Sequence, residues 1–234
     1  PRGEETALIL SKKEHWQLTR DVGRWLERLG VNHAKLEIAR GPRDSLVEGF
    51  SVQLRYRDET SGSDLKVNIR DVGFGISQVL PVVTQSLMKG PQILCIEQPE
   101  AQLHPRMQAA LADVFLFAAF NRNEPAREFE RQKQFIIETH SEHLLLRLLR
   151  RIRETTNDTL PKSTKGQPPV TKVKPDQVVV LYVEPQANAE DGTASVVQRL
   201  RINDQGQLLD SFPEGFFQSD LADKMAGYFV AEAE

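Results

Sequence analysis

The spacing of apolar residues switches between a period near 3.6 and a period of 2, and each switch marks an element. After Ser11, the residues Trp16, Val22, Trp25, Leu26 and Leu29 are read as one apolar side ending at Gly30, which predicts an amphipathic helix capped by Ser11. Alternation takes over in Ala34 to Ala39, Phe50 to Tyr56 and Leu65 to Ile69, with turns at Gly41-Pro42 and Ser61-Gly62-Ser63, the pattern of an antiparallel meander. A helical period follows from Ser77 to about Met88, then a strand at Gln92 to Glu97, a helix from Pro105 to Phe120, a strand at Gln134 to Glu138 and a helix from Ser141 to Arg153. Strands alternating with helices predict a mainly parallel sheet with crossover helices.

Residues 154–175 carry few apolar side chains and read as a mobile linker. Beyond them, Val178 to Val183, Ala194 to Ile202 and Leu208-Leu209 read as strands, Asp204-Gln205-Gly206 as a turn, and Ser219 to Val230 as a last amphipathic helix. The expected layout is a helix with antiparallel strands over 1–70, an α/β lobe over 71–153, the linker over 154–175 and a small α+β domain over 176–234. The fold class is α/β.

Ile93-Leu94-Cys95-Ile96 stands out because it does not alternate, which predicts a strand buried on both faces and Cys95 as a small buried hydrophobe. Glu97 ends that strand, where open α/β sheets bind ligands. A carboxylate there suits Mg2+ and phosphates, although a strand-end acid is often only that.

Composition narrows the picture little. The chain has 234 residues, 39% hydrophobic and 27% charged, long enough for a sizeable core. A formal charge of −3 argues against coating nucleic acid by bulk charge and leaves room for a local basic patch. One cysteine allows no internal disulfide, and no stretch reads as a membrane span or a secretory signal, so a soluble cytoplasmic protein is expected.

Three segments occur in a telling order: Gly73-Phe74-Gly75-Ile76-Ser77-Gln78, then Ile93 to Glu100 followed by Leu103-His104-Pro105, then Phe135-Ile136-Ile137-Glu138-Thr139-His140-Ser141. Over roughly residues 65–150 they resemble the C-terminal half of an ABC-type ATPase head of the bacterial AAA family that includes RecF-like and OLD-like proteins. The tail with Phe212-Pro213-Glu214-Gly215-Phe216-Phe217 is similar to a small uncharacterised domain that closes such ATPases. The resemblance implies a P-loop NTPase lobe that binds ATP and Mg2+ between two heads of a dimer or larger oligomer. It further implies DNA repair or anti-phage defence with an effector protein, DNA being one candidate partner and a membrane none.

In that likeness Gly73, Gly75, Ser77 and Gln78 form the signature loop, which binds the anion of the opposite head, and Glu97 is the metal-binding end of Walker B. His140 is the switch histidine, and His104 lies in a D-loop position, where a cap neighbour is an equal alternative. Gln98 occupies the place of the usual glutamate that polarises water. An amide can orient water but cannot take its proton, so either Glu100 or a partner group serves as base, or the protein is a slow ATP-gated scaffold. Glu100 also reads as an ordinary acid near a helix N-terminus.

The phosphate-cradling pattern G-x-x-x-x-G-K-[ST] does not occur in the chain, so an upstream lobe, on the same or another polypeptide, is expected to carry it. His140 and His143 make weak zinc ligands. Glu184 ends a strand as in Toprim nucleases, but no Asp-x-Asp pair follows, and a nuclease is rejected. Arg147, Arg150, Arg151 and Arg153 read as a solvated helix end or, less simply, as phosphate contacts.

Overall fold

The computed structural model describes residues 3–31, 34–40, 50–57, 60–90, 92–120, 133–185 and 195–210. The Gly41-Pro42 turn, the Phe212 to Phe217 tail and the helix expected from Ser219 lie outside them. The chain forms two compact units, Pro1–Leu144 with Lys162–Thr171, and Leu145–Pro161 with Lys172–Glu234.

The first unit opens with α1 (Gly3–Ser11), a short 3-10 turn at Lys13–His15, and α2 (Trp16–Leu29). Ser11 therefore ends a helix instead of starting one, and its Oγ donates to the Leu8 carbonyl at 2.7 Å. Val22, Trp25, Leu26 and Leu29 are buried at the spacing i, i+3, i+4, i+7. Trp16 is 62% exposed because it lies six positions before Val22, a spacing that carries it off that stripe. Its ring lies 5.1 Å from the Arg20 guanidinium carbon instead. Gly30 stops α2 in the left-handed region, with φ 111°, where its N–H reaches the carbonyls of Leu26 and Glu27.

The expected meander forms as β1 (Ala34–Arg40), β2 (Phe50–Arg57) and β3 (Asp64–Asn68), with Leu36 opposite Leu54 and Leu54 opposite Val67. Then come α3 (Phe74–Leu87), β4 (Gln92–Glu97), α4 (Pro105–Phe120) and β5 (Lys133–Glu138). Ala110 to Leu116 are all buried, so α4 is enclosed on every side of its middle turns. Phe117 meets Trp25 edge to face at 5.3 Å, and Phe115 meets Phe135 at 5.1 Å. Burying each such aromatic or aliphatic side chain contributes about 1.5–3 kcal/mol. Asp113 sits within this core at 3% exposure, tolerated because Arg28 of α2 reaches it at 3.4 Å while also donating to the Pro168 carbonyl at 2.7 Å.

β4 and β5 pair in parallel with Glu97 opposite Glu138. The apolar run is not buried on both faces: Ile93 is 67% and Ile136 63% exposed, and Cys95 beside them is exposed too. Leu94, Ile96, Phe135 and Ile137 occupy the other, partly buried face, where Phe135 meets α4. The described residues thus cover one side of a strand pair whose sequence is apolar on two.

In the second unit α5 (Glu142–Thr156), whose first residues belong to the first unit, supplies Leu145 and Leu149 to a core with Leu200 and Leu208. The hairpin of β6 (Val180–Pro185) and β7 (Ser195–Leu200) lays Val180 and Tyr182 against that core. The arginine run is only partly solvated. Arg151 is 3% exposed and, with Arg150, binds Glu154, so these two charges are satisfied inside the unit. Among the described residues the fold is α/β, with β4 and β5 as a parallel pair and antiparallel strands before and after it in sequence.

Candidate functional site

The loops that follow β4 and β5 are joined by hydrogen bonds. Gln98 leaves β4 and donates its N–H to the Glu138 carbonyl at 2.8 Å, continuing the parallel ladder by one step. Its φ is +43°, left-handed for a residue with a side chain, and Gln102 follows at +62°. Such residues cost on the order of 1–3 kcal/mol each and persist where their surroundings over-determine them. Between them the turn is held by Ala101 N–H to Gln98 O at 3.0 Å and Leu103 N–H to Glu100 O at 3.0 Å.

Glu100 lies inside this turn at 7% exposure. Its Oε1 accepts the backbone N–H of His140 at 2.7 Å, tying the end of β4 to the end of β5. Its Oε2 is buried and has no hydrogen-bond partner among the described residues. Glu97 and Glu138 stand exposed next to each other on one face at the end of the pair, while His140 is exposed beyond them.

A second link runs through α4. The Gln108 amide donates to the Leu103 carbonyl at 2.9 Å and accepts the Ser141 hydroxyl proton at 2.7 Å. Ser141 in turn accepts the N–H of Leu144 at 3.1 Å, capping α5. His104 caps α4: its Nδ1 accepts the Arg106 N–H at 3.3 Å, which leaves Nε2 carrying the proton of a neutral ring. His104 is exposed, so capping and a further contact are compatible.

The glycine-bearing segment differs from expectation in one respect. Helix α3 begins at Phe74, with Gly73 as its N-cap at φ 119°, so Gly75 and Ser77 lie in the first turn and not in a loop before a helix starting near Gln78. Gly75 has no room for a side chain: a Cβ there would sit 2.6 Å from the Gln102 carbonyl oxygen and 3.1 Å from Leu103. The start of α3 therefore packs on the turn that carries Glu100. The structure brings Gly75, Gln98, Glu100 and His140 into one connected set of contacts with Glu97 beside it. Ser77 is half-buried and Gln78 exposed, and both share the first turns of α3.

No group of three or more His, Cys, Asp or Glu side chains among the described residues is arranged to hold a metal. Glu97 beside Glu138 still fits Mg2+, which is usually held by one or two carboxylates together with substrate phosphates. Gln108, Ser141 and Glu138 were not singled out from sequence as site residues. A serine just before an apolar helical run signals a cap, but nothing local announces the reach from Gln108 to both Leu103 and Ser141. Among the described residues no helix is long and apolar enough to cross a membrane.

None of the curated proteins matches the chain. Among solved structures it is similar to one from work on ATP-driven dimerization and DNA-stimulated activation of SMC ATPases, at 11% identity and TM-score 0.48, covering 83% of this chain and 89% of that one. It is also similar to an Smc head domain with an extended coiled coil bound to the C-terminal domain of ScpA from Pyrococcus furiosus, at 13% identity and TM-score 0.38, covering 56% and 29%. A third is SmcHead bound to the C-winged helix domain of ScpA, at 13% identity and TM-score 0.40, covering 62% and 44%. The chain spans less than half the length of the last two. Residues 173–225 match the family described as "Protein of unknown function (DUF3696)". Residues 20–147, more than half of the chain, match the family described as "AAA domain, putative AbiEii toxin, Type IV TA system", and the chain belongs to that AAA-domain ATPase family.

Proposed function

We propose that the chain is the C-terminal lobe of an ABC-type ATPase head that binds and hydrolyses ATP between two heads, closing on binding and reopening on hydrolysis. The observation that carries this reading is the hydrogen-bonded union of the turns after β4 and β5, on which the first turn of α3 packs. Three segments distant in sequence meet there, as a site gripping a triphosphate requires.

Within this reading Glu97, with Glu138 at its side, holds Mg2+, which when bound neutralises charge on the phosphate oxygens. His140 donates to the γ-phosphate, and Gln98 orients the attacking water through its amide. Gly73, Gly75, Ser77 and Gln78 offer the N-terminus of α3 to the phosphate held by the opposite head. His104, with Nε2–H free of the cap, faces that head. The exposed apolar face of Ile93, Cys95 and Ile136 is covered by a lobe carrying the lysine-bearing phosphate loop. The output is closure in the cytoplasm, coupled to an effector protein in DNA repair or anti-phage defence, with DNA as a further partner.

One observation favours a rival. Gln98 cannot accept a proton, which suits a scaffold that ATP locks without turnover. ATP hydrolysis by the full-length protein decides, measured beside Glu97→Gln and Gln98→Glu. Turnover lost in Glu97→Gln supports the ATPase. Negligible wild-type turnover with intact ATP binding, rising in Gln98→Glu, supports the scaffold.

A further inference from the structure

Glu100 has two possible roles in such a site, and its surroundings separate them. A general base must present a free oxygen to water. Glu100 is instead 7% exposed, one oxygen accepts a backbone N–H at 2.7 Å, and the other is buried with no partner among the described residues. The residues that hold it are themselves constrained: Gln98 and Gln102 are left-handed, and the Gln102 carbonyl is pressed against Gly75. A buried acceptor in a rigid turn, bonded to the backbone of a residue forty positions away, is built to fix that backbone.

We propose that Glu100 is a positioning residue and not the base: its carboxylate clamps the His140 backbone to the turn that begins at Gln98, directly after Glu97, and so aims the imidazole. This rests on the ATPase reading and deepens it. The clamp needs an acceptor oxygen and does not need a negative charge. A glutamine can therefore replace Glu100, whereas an alanine cannot, and the loss in the alanine variant must pass through His140. If the bond is lost, the loop after β5 is free to shift, and a displacement of about 1 Å can cost about 10²-fold in rate.

The test uses the full-length protein. Steady-state ATP hydrolysis is measured for wild type, Glu100→Gln, Glu100→Ala, His140→Ala and the Glu100→Ala/His140→Ala double variant. Glu100→Gln is expected to keep kcat within about threefold, while Glu100→Ala loses about ten- to a hundredfold in kcat with KM little changed and adds nothing in the His140→Ala background. Glu100→Gln as inactive as Glu100→Ala, or an equal loss in both backgrounds, overturns the proposal. Amide exchange over residues 139–141 reports on the clamp whatever the turnover: protection is expected to survive in Glu100→Gln and fall in Glu100→Ala, and unchanged protection in Glu100→Ala overturns it. Failure of the ATPase reading looks different, as wild-type turnover that Glu97→Gln and His140→Ala leave untouched.

Discussion

Two buried glutamates, one in each unit, are satisfied in opposite ways. Glu154 sits near the end of α5, where Arg150 binds Oε1 at 2.6 Å and Arg151 binds Oε2. Burial alone would raise its pKa, but the two guanidinium groups outweigh that and hold it below the usual carboxylate range. Glu100 has a single backbone N–H on one oxygen and nothing described on the other. The first is a charge whose partners lie three and four residues away on the same helix. The second takes its partner from another loop, and its other oxygen has no hydrogen-bond partner among the described residues.

The largest effect expected from this contrast is at Glu154. Replacing it with leucine removes the carboxylate that the 3% exposed Arg151 binds, and breaking such a buried pair costs about 3–5 kcal/mol. Denaturant unfolding of the second unit measures it; a loss below 1 kcal/mol would erase the distinction between the two glutamates. The pH dependence has a definite sign. Because the folded pKa is lowered, the stabilisation is fully present above the unfolded carboxylate pKa and is lost as pH falls through the folded one. Glu154→Gln should lack that acid step.

Lys133 is a third case, a buried cation satisfied among the described residues by carbonyls. Its Nζ donates to Ser86 O at 2.7 Å and Gln85 O at 3.2 Å, near the C-terminus of α3, and burial lowers its pKa from 10.5 to about 8. The unfolded chain therefore binds the proton more tightly. Stability should rise by about 2–3 kcal/mol as pH goes from about 8 to 10.5, and be flat below about pH 8, where folded and unfolded chains both hold the proton. Comparing wild type with Lys133→Met across that window isolates the effect, since only wild type gains from this side chain. A difference that does not vary with pH would mean that the carbonyls fully compensate the burial.

How much of this was legible in the sequence follows the same division. The α2 stripe and the three-stranded meander were readable because their signals are periodic and local, and β4, α4 and β5 because each is an apolar stretch of strand or helix length. Glu154 reads from sequence as the start of a linker after a helix ending at Arg153, whereas α5 runs on to Thr156, so its pairing with Arg150 and Arg151 and the burial of Arg151 are findings of the structure. What the sequence could not supply was long-range pairing: His140 to Glu100, Gln108 to both Leu103 and Ser141, Gly75 against Gln102. The apolar run at Ile93 predicted two buried faces because periodicity reports what a strand can bury, not which part of the chain covers it. Trp16 failed for a simpler reason, since its spacing from Val22 never placed it on the core stripe.

Gly75→Ala tests the packing on which the incomplete site depends. The added methyl meets a backbone carbonyl at 2.6 Å, an atom that cannot swing aside, so the turn from Gln98 to Gln102 must move. A cost between about 1 and 2 kcal/mol is expected from this overpacking. Greater amide exchange at His140 should accompany it, because Glu100 rides on the same turn. A destabilised variant with His140 fully protected would show that α3 and the clamp are independent.

The smallest stability change is expected at Glu100 itself, and the smallness is informative. Glu100→Ala removes one charge-assisted hydrogen bond, worth about 1.5–3 kcal/mol, but it also removes a buried oxygen left without a partner, whose desolvation costs about 1–3 kcal/mol. The two nearly cancel, so a net loss of about 1 kcal/mol or less should appear in denaturant unfolding, against several times that for Glu154→Leu. A small loss of stability together with freer amide exchange at His140 would support the positioning role proposed for Glu100. A loss at Glu100 as large as that at Glu154 would make both glutamates struts and remove the reason to treat the turn after β4 as anything more.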